Sequence, residues 1–394
     1  MSAPLTGITV VSLEQAVAAP FATRQLADLG ARVIKVERPG AGDFARGYDE
    51  TVKGLSSHFV WINRSKESLT LNLKHPEALA VLNRLLDEAD VFVQNLAPGA
   101  TARLGLDAAS LRERNPRLIV CDISGFGASG PYRDKKAYDL LIQCEAGLVS
   151  VTGTPETPAK AGISVADIAG GMYAYSGILT ALYRREREGE GAHLEVSLFD
   201  GLAEWMGFPA YFAAYGGRPP PRNGASHAAI APYGPFACGG GGQVNLGIQN
   251  EREWRVFCER VLERPELASD PRFDANSRRV AHREALREAI EAVFAGLDVA
   301  QAVARLDGAG IANARMNDMQ AFWEHPQLAE RDRWVEVDTP AGSIRALKPP
   351  VIMDGVAGRM DPIPALGEHT EAILGELGMD ETEIRRLREA GAIS

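Results

Sequence analysis

Between residues 8 and 125 the chain switches repeatedly from short β-branched runs to segments with apolar residues at helical spacing. ITVVSLE (8–14), RVIKVER (32–38), SLTLNLK (68–74), DVFVQNL (90–96) and RLIVCDISG (117–125) read as strands. The apolar run ITVVSLE suits a strand buried in the sheet. Between them Pro20 opens a helix that runs through Leu29 and stops at Gly30. PEALAVLNRLLDEA (76–89) and DAASLRERN (107–115) are further helices. This βαβα rhythm predicts an α/β fold with a parallel, doubly wound sheet. Ligands of such sheets bind at the carboxyl ends of strands, which directs attention to the segments after residues 14, 38, 95 and 125.

Beyond residue 160 the pattern changes. A long helix is expected over 165–187, followed by the strand HLEVSLFD (193–200). AYGGRPPPRNGASHAAIAPYGPF (214–236) is dense in Gly and Pro, too irregular for a core element and long enough to be functional or a linker. CGGGGQVNLGIQ (238–249) reads as a turn into a strand, and 251–320 is mainly helical. A chain of 394 residues exceeds one ordinary core. We therefore expect a large domain over 1–215 and 326–394 and a small domain over 216–325. The last part returns to β (334–353) and then to a terminal helix (370–390).

Several function classes are disfavoured. A net charge of −10 argues against nucleic acid, whose phosphates attract basic surfaces. The N-terminus MSAPLTGITVVSLEQ lacks the basic region and apolar core of a signal peptide, and no apolar run reaches membrane-span length. Cys121, Cys144, Cys238 and Cys258 are scattered, with no C-x-x-C pair, as expected of reduced thiols in a cytoplasmic protein. The seven histidines form no H-E-x-x-H pair, and no metal is expected. Gly40-Ala41-Gly42 and the run 239–242 read as turns, because a dinucleotide fingerprint would sit at EQAVAAP, where there is no glycine. No G-x-S-x-G elbow is present.

One acid stands out. GISVADIAGGMY (162–173) carries Asp167 in a small, apolar setting. Ser164 and Asp167 have capping-box spacing, Ser164 at the N-cap and Asp167 reaching back to a free amide. The same position suits a second use. A helix N-terminus favours an ionised carboxylate, and small neighbours let a substrate approach for nucleophilic attack on an activated acyl group. The pattern alone leaves cap and nucleophile both open.

Residues 5–43 (LTGITVVSLEQAVAAPFATRQLADLGARVIKVERPGAGD), 89–106 (ADVFVQNLAPGATARLGL), 115–132 (NPRLIVCDISGFGASGPY), the Asp167 segment and LGEHT (366–370) jointly carry a resemblance. Over essentially its whole length the chain resembles the family III CoA-transferases. The resemblance implies that Asp167 attacks an acyl-CoA thioester, giving an aspartyl anhydride and then an aspartyl-CoA thioester. It implies a Rossmann-like large domain, a smaller α+β domain and an interlocked homodimer. CoA enters as substrate, with no permanently bound cofactor. The implied CoA contacts are Ala16, Val17, Ala18, Arg38, Leu71, Asn95, Arg103, Lys136 and Tyr138; the bland alternative for Arg38 and Arg103 is solvated surface charge.

The segments 138–171, 204–217 and 222–236 most resemble the branch acting on four- and five-carbon dicarboxylates, such as mesaconate, itaconate, citramalate and succinate. Gln15, Arg222, Ser226 and His227 are the candidates for reading the acid, and His227 could equally only fix the linker. Formyl-CoA transferases carry glutamine at the position of Val17, so Val17 argues against formate and oxalate. α-Methylacyl-CoA racemases of the same superfamily use a histidine where Tyr138 stands. A phenol of pKa ~10 sustains two-base proton exchange poorly at neutral pH. A racemase and a non-catalytic CoA-binding protein remain the competing readings.

Overall fold

The computed structural model describes residues 3–394. The chain divides into two compact units, one of residues up to 146, 162–206 and 328–394, the other of residues 147–161 and 207–327.

In the first unit β1 (Thr9–Leu13), β2 (Arg32–Glu37), β3 (Lys66–Thr70), β4 (Val91–Gln94), β5 (Ile119–Ser124) and β6 (His193–Ser197) form one sheet in the order β3-β2-β1-β4-β5-β6. Every pairing is parallel, with Val11 opposite both Ile34 and Phe92. The helices on the route are α1 (Ala18–Asp28), α2 (Pro76–Glu88), α3 (Ala108–Arg114), α4 (Asp139–Glu145), α5 (Val165–Glu188) and α6 (Leu198–Trp205).

Strand alternation sorts the side chains to two faces. Val11, Leu13, Ile34, Val36, Leu69 and Phe92 point into an apolar core with Val81, Leu82 and Leu86 of α2 and with Ile373 and Leu387 near the C-terminus. Each such side chain contributes about 1.5–3 kcal/mol on burial. Ser12, Lys35, Lys66 and Ser68, on the alternate positions, face the other way and are also buried. There α1 closes over them, and the Lys66 ammonium donates to the Pro20 carbonyl at 3.0 Å. α5 packs on α1 and α6 through two glycines. A Cβ on Gly171 would lie 2.7 Å from the Ala18 carbonyl, and one on Gly170 would lie 2.5 Å from a Leu198 methyl.

The second unit holds an antiparallel sheet of Tyr233–Ala237, Gln243–Gly247 and Ala312–Arg315, with helices Arg283–Phe294 and Val299–Ala309. Its core centres on Trp254, Phe257, Phe273 and Phe294. The Arg279 guanidinium is buried there, paired with both Glu251 oxygens at 2.7 and 2.9 Å and donating to the Ala231 and Phe273 carbonyls.

Four expected elements differ. The strand expected over 193–200 ends at Ser197, whose hydroxyl accepts the Asp200 amide and starts α6 at Leu198. β3 lies at Lys66–Thr70 rather than 68–74, since the chain turns at Asn72, whose carbonyl accepts the His75 amide. Part of the Gly/Pro-rich stretch is helical, because Gly207–Gly216 carries the helix past residue 214. The terminal helix is two, Thr370–Glu376 and Glu381–Glu389, split by Gly378 at φ +82 and restarted by an Asp380–Glu383 capping box. Among the described residues no helix is long and apolar enough to cross a membrane, and no cluster of three His, Cys, Asp or Glu could hold a metal ion.

Candidate active site at the carboxyl edge of the sheet

Chain order reverses between β1 and β4, and the crevice of such a sheet opens above that point. Two side chains clamp the turn that leaves β1. The Asn95 amide donates to the Gln15 carbonyl at 2.8 Å and accepts the Gln15 N–H at 2.9 Å. Asp43 accepts the Ala16 N–H at 3.0 Å. Ala16 is held at φ +60, a left-handed conformation that costs a residue with a Cβ on the order of 1 kcal/mol or more. α1 starts directly afterwards at Ala18, with Pro20 in its first turn, where a missing N–H costs nothing.

Asp167 lies in the first turn of α5, one turn before Gly171, and so on the side of α5 that meets α1. The capping box expected of Ser164 and Asp167 does not form, and the Ser164 side chain caps nothing. A residue distant in sequence takes the role. The Asp139 carboxylate, at the start of α4, accepts the Ala166 N–H at 2.8 Å and the Asp167 N–H at 3.4 Å, while its second oxygen accepts from Gln143 at 2.7 Å. The Asp167 carboxyl is thereby left out of the capping. Burial, reinforced by the Asp139 charge, pushes it up to about 7. The helix terminus by itself favours the ionised form, and here desolvation and a like charge outweigh that dipole effect.

Sequence reasoning assigned no role to Asp139 or to Tyr48. Tyr48 follows the carboxyl end of β2, and burial with the Asp43 and Asp167 carboxylates pushes its phenol up to about 12, leaving a neutral O–H donor. The segment after residue 38 had been singled out, but nothing local distinguishes Tyr48 within FARGY. Asp139 follows Tyr138 directly, yet its hydrogen bonds span 27 and 28 residues and leave no local signal.

The implied CoA contacts fall into three groups. Ala16 and Asn95 are half-buried, in and beside the turn after β1. Arg38, Arg103, Lys136 and Tyr138 are exposed, Tyr138 at 66 %, with their polar ends open to a ligand. Val17, Ala18 and Leu71 are buried. Leu71 sits in the apolar core and donates its N–H to the Glu37 carbonyl at 2.9 Å, so a ligand could meet only its backbone carbonyl.

In the second unit Arg222 gives its guanidinium to the Thr154, Ser150 and Pro155 carbonyls at 2.9, 3.1 and 2.8 Å. The Ser226 hydroxyl accepts from Arg287 at 3.3 Å. His227 stacks on Tyr233 at 5.3 Å and 7° and lies 6.5 Å from Phe208. Its Nδ1 accepts the Ala229 N–H at 3.1 Å, which places the proton of the neutral ring on Nε2.

The family model described as CoA-transferase family III matches residues 5–370. The chain belongs to this family. As a family III CoA-transferase it uses CoA thioesters as substrates. It is 35% identical over 384 residues to the succinate–glutarate CoA-transferase of Agrobacterium fabrum, covering 95% of this chain and 96% of the other. It is also 35% identical over 387 residues to the acetyl-CoA:oxalate CoA-transferase of Acetobacter aceti, covering 96% and 97%. Among solved structures, a CAIB/BAIF family protein from Brucella suis superimposes with a TM-score of 0.84 at 33% identity, covering 96% of this chain and 100% of that one.

Proposed function

We propose that Asp167 carries the transfer covalently. Its carboxylate attacks the thioester carbonyl of the donor acyl-CoA, the C–S bond breaks, and CoA leaves as thiolate from a mixed anhydride. The thiolate then attacks the Asp167 carbonyl carbon, releasing the donor acid as a carboxylate and leaving an aspartyl-CoA thioester. The acceptor carboxylate attacks that thioester and re-forms an anhydride. Returning thiolate takes the acceptor acyl group and frees Asp167.

The observation that carries this reading is the pairing of Asp167 with Asp139 at the entrance of α5. A desolvated carboxylate facing a like charge is more basic, and hence a stronger nucleophile, than a solvated one. Acylation neutralises Asp167 and relieves the repulsion. The exposed Arg38, Arg103 and Lys136 supply charge for the CoA phosphates. Quenching the enzyme with its donor, digesting it and analysing the peptide spanning Asp167 by mass spectrometry tests this. Turnover without a CoA adduct or hydroxylamine-labile bond on that peptide would refute it.

The acids are dicarboxylates of four or five carbons in this reading, with succinyl-CoA as a donor. The name of the Agrobacterium relative supports it. The Acetobacter relative keeps oxalate in the test panel despite Val17. Succinyl-CoA offered with glutarate, mesaconate, itaconate, citramalate and oxalate, followed by mass spectrometry of the CoA products, ranks them. His227 reads the distal carboxylate through Nε2; Arg222, which spends three of its five N–H donors on carbonyls, is the alternative reader. His227→Ala should then cost more on succinyl-CoA than on a monocarboxylic acyl-CoA; equal losses would remove the recognition role.

A racemase reading is disfavoured by Tyr138, and retention of α-hydrogen in deuterated solvent distinguishes the two. The working form is a homodimer in this reading, supported by Gly207–Gly216, an apolar helix with no buried residue, on which Tyr211 is 69% and Tyr215 87% exposed. A monomer in analytical ultracentrifugation would refute it.

A further inference from the structure

Beneath the turn from β1 to α1 lies a set of buried charges that acyl transfer does not itself call for. The Lys35 ammonium meets Asp43 at 2.7 Å and Glu14 at 3.3 Å, and all three side chains are fully buried. Glu14 also accepts from Lys66 at 2.7 Å and from the Thr23 hydroxyl at 2.6 Å. Asp43 is fixed from its own backbone side as well: its N–H donates to Glu37 at 2.9 Å, and Glu37 is paired with Arg46 at 2.7 Å. Glu37 in turn accepts the Ser68 hydroxyl at 2.7 Å, and Ser68 accepts the Gly367 N–H of the LGEHT segment at 2.9 Å.

Charges taken out of water in this number are costly, and well-packed apolar side chains would serve stability as well or better. Their retention points to something they hold in place. The chain of contacts ends on one atom group: the Asp43 oxygen that accepts both the Ala16 N–H at 3.0 Å and the Ala45 N–H at 2.9 Å. Ala16 is the strained residue of the turn, at φ +60. Strain of this kind persists only where the surroundings over-determine the backbone.

We propose that Asp43, oriented by Lys35 and Glu37, is a positioning residue for acyl transfer. It holds Ala16 left-handed and so sets where the turn Gln15–Val17 presents its backbone to the thioester. Asp43 is fully buried and hydrogen-bonded to the turn, so it acts through Ala16. The inference rests on the reading of Asp167 as acyl acceptor, and the test separates the two.

The measurement is the single-turnover rate of CoA-adduct formation on Asp167, per folded enzyme, in the wild type, Asp43→Asn and Asp43→Asn/Ala16→Gly, beside Tm and KM for succinyl-CoA. Asparagine keeps an acceptor but no longer matches the Lys35 charge, so the turn loosens. The expected loss in adduct rate for Asp43→Asn is on the order of ten- to a hundred-fold, with KM within about twofold. Glycine adopts positive φ without steric cost, so adding Ala16→Gly should recover about tenfold of it, although Tm stays low. An unchanged rate per folded enzyme in Asp43→Asn, or no recovery in the double variant, overturns the positioning role. Should Asp43→Asn not fold, Lys35→Met with and without Ala16→Gly is read by the same criteria. Absence of any adduct in the wild type would instead refute the nucleophile reading.

Discussion

The carboxylate of Asp139 accepts the backbone N–H of Asp167 at 3.4 Å while its charge opposes ionisation of the Asp167 side chain. One group thus completes the helix entrance and raises the proton affinity of the Asp167 carboxyl. The two effects separate chemically, because an amide can still cap but carries no charge.

Asp139→Asn should therefore keep α5 anchored and shift the acidic limb of kcat/KM. With Asp167 at about 7 in the wild type, activity is expected to rise as pH increases through neutrality if this carboxylate is the acyl acceptor. Removing the like charge lowers that value, so the limb moves towards lower pH by roughly one unit. A pH–rate profile of both enzymes checks this; an unmoved limb would mean burial alone sets it.

Asp167→Asn should stabilise the folded protein at alkaline pH. The folded-state value of about 7 lies above the unfolded 3.8, so the protonated form favours folding. That contribution is fully present below about pH 4 and is lost as pH rises through about 7. At pH 8 the variant should gain about 2–4 kcal/mol, and at pH 4 almost nothing. Denaturant titrations at the two pH values measure it.

Gly171→Ala should destabilise by about 1–3 kcal/mol despite the better helix propensity of alanine, because its Cβ meets the rigid Ala18 carbonyl at 2.7 Å. Gly170→Ala should cost less, since the Leu198 methyl in its way can rotate. Thermal denaturation ranks the pair. Activity should fall further in Gly171→Ala, which moves α5 relative to the turn after β1.

Asn95→Ala removes both hydrogen bonds that clamp Gln15. A loss of about 1–3 kcal/mol and a raised KM for the donor thioester are expected, since two backbone groups lose partners and the turn after β1 loosens. Asn95→Asp, which keeps only the acceptor, should fall between the two in both measurements.

What was readable in the chain is what repeats or is local. The strands at Thr9–Leu13, Arg32–Glu37, Val91–Gln94 and Ile119–Ser124 follow from β-branched runs, β3 is displaced by two residues, and the parallel sheet follows from the alternation of strands with helices. Asp167 stands out because an acid among small residues at a helix start is locally odd. Elements went astray where short-range chemistry intervenes, as at Ser197, whose side chain caps α6 and ends the strand three residues early.

The state of Asp167 is another matter. Composition could place it at a helix entrance, where the dipole alone would favour the anion. Only the folded chain brings Asp139 from 28 residues away to take over the capping and oppose the charge. Only the fold, likewise, sets Asp43 under Ala16 across 27 residues. Patterns along a chain report each residue's own preference for solvent and backbone conformation. Acidity and backbone strain depend on which distant charges are desolvated together, and that is decided by packing.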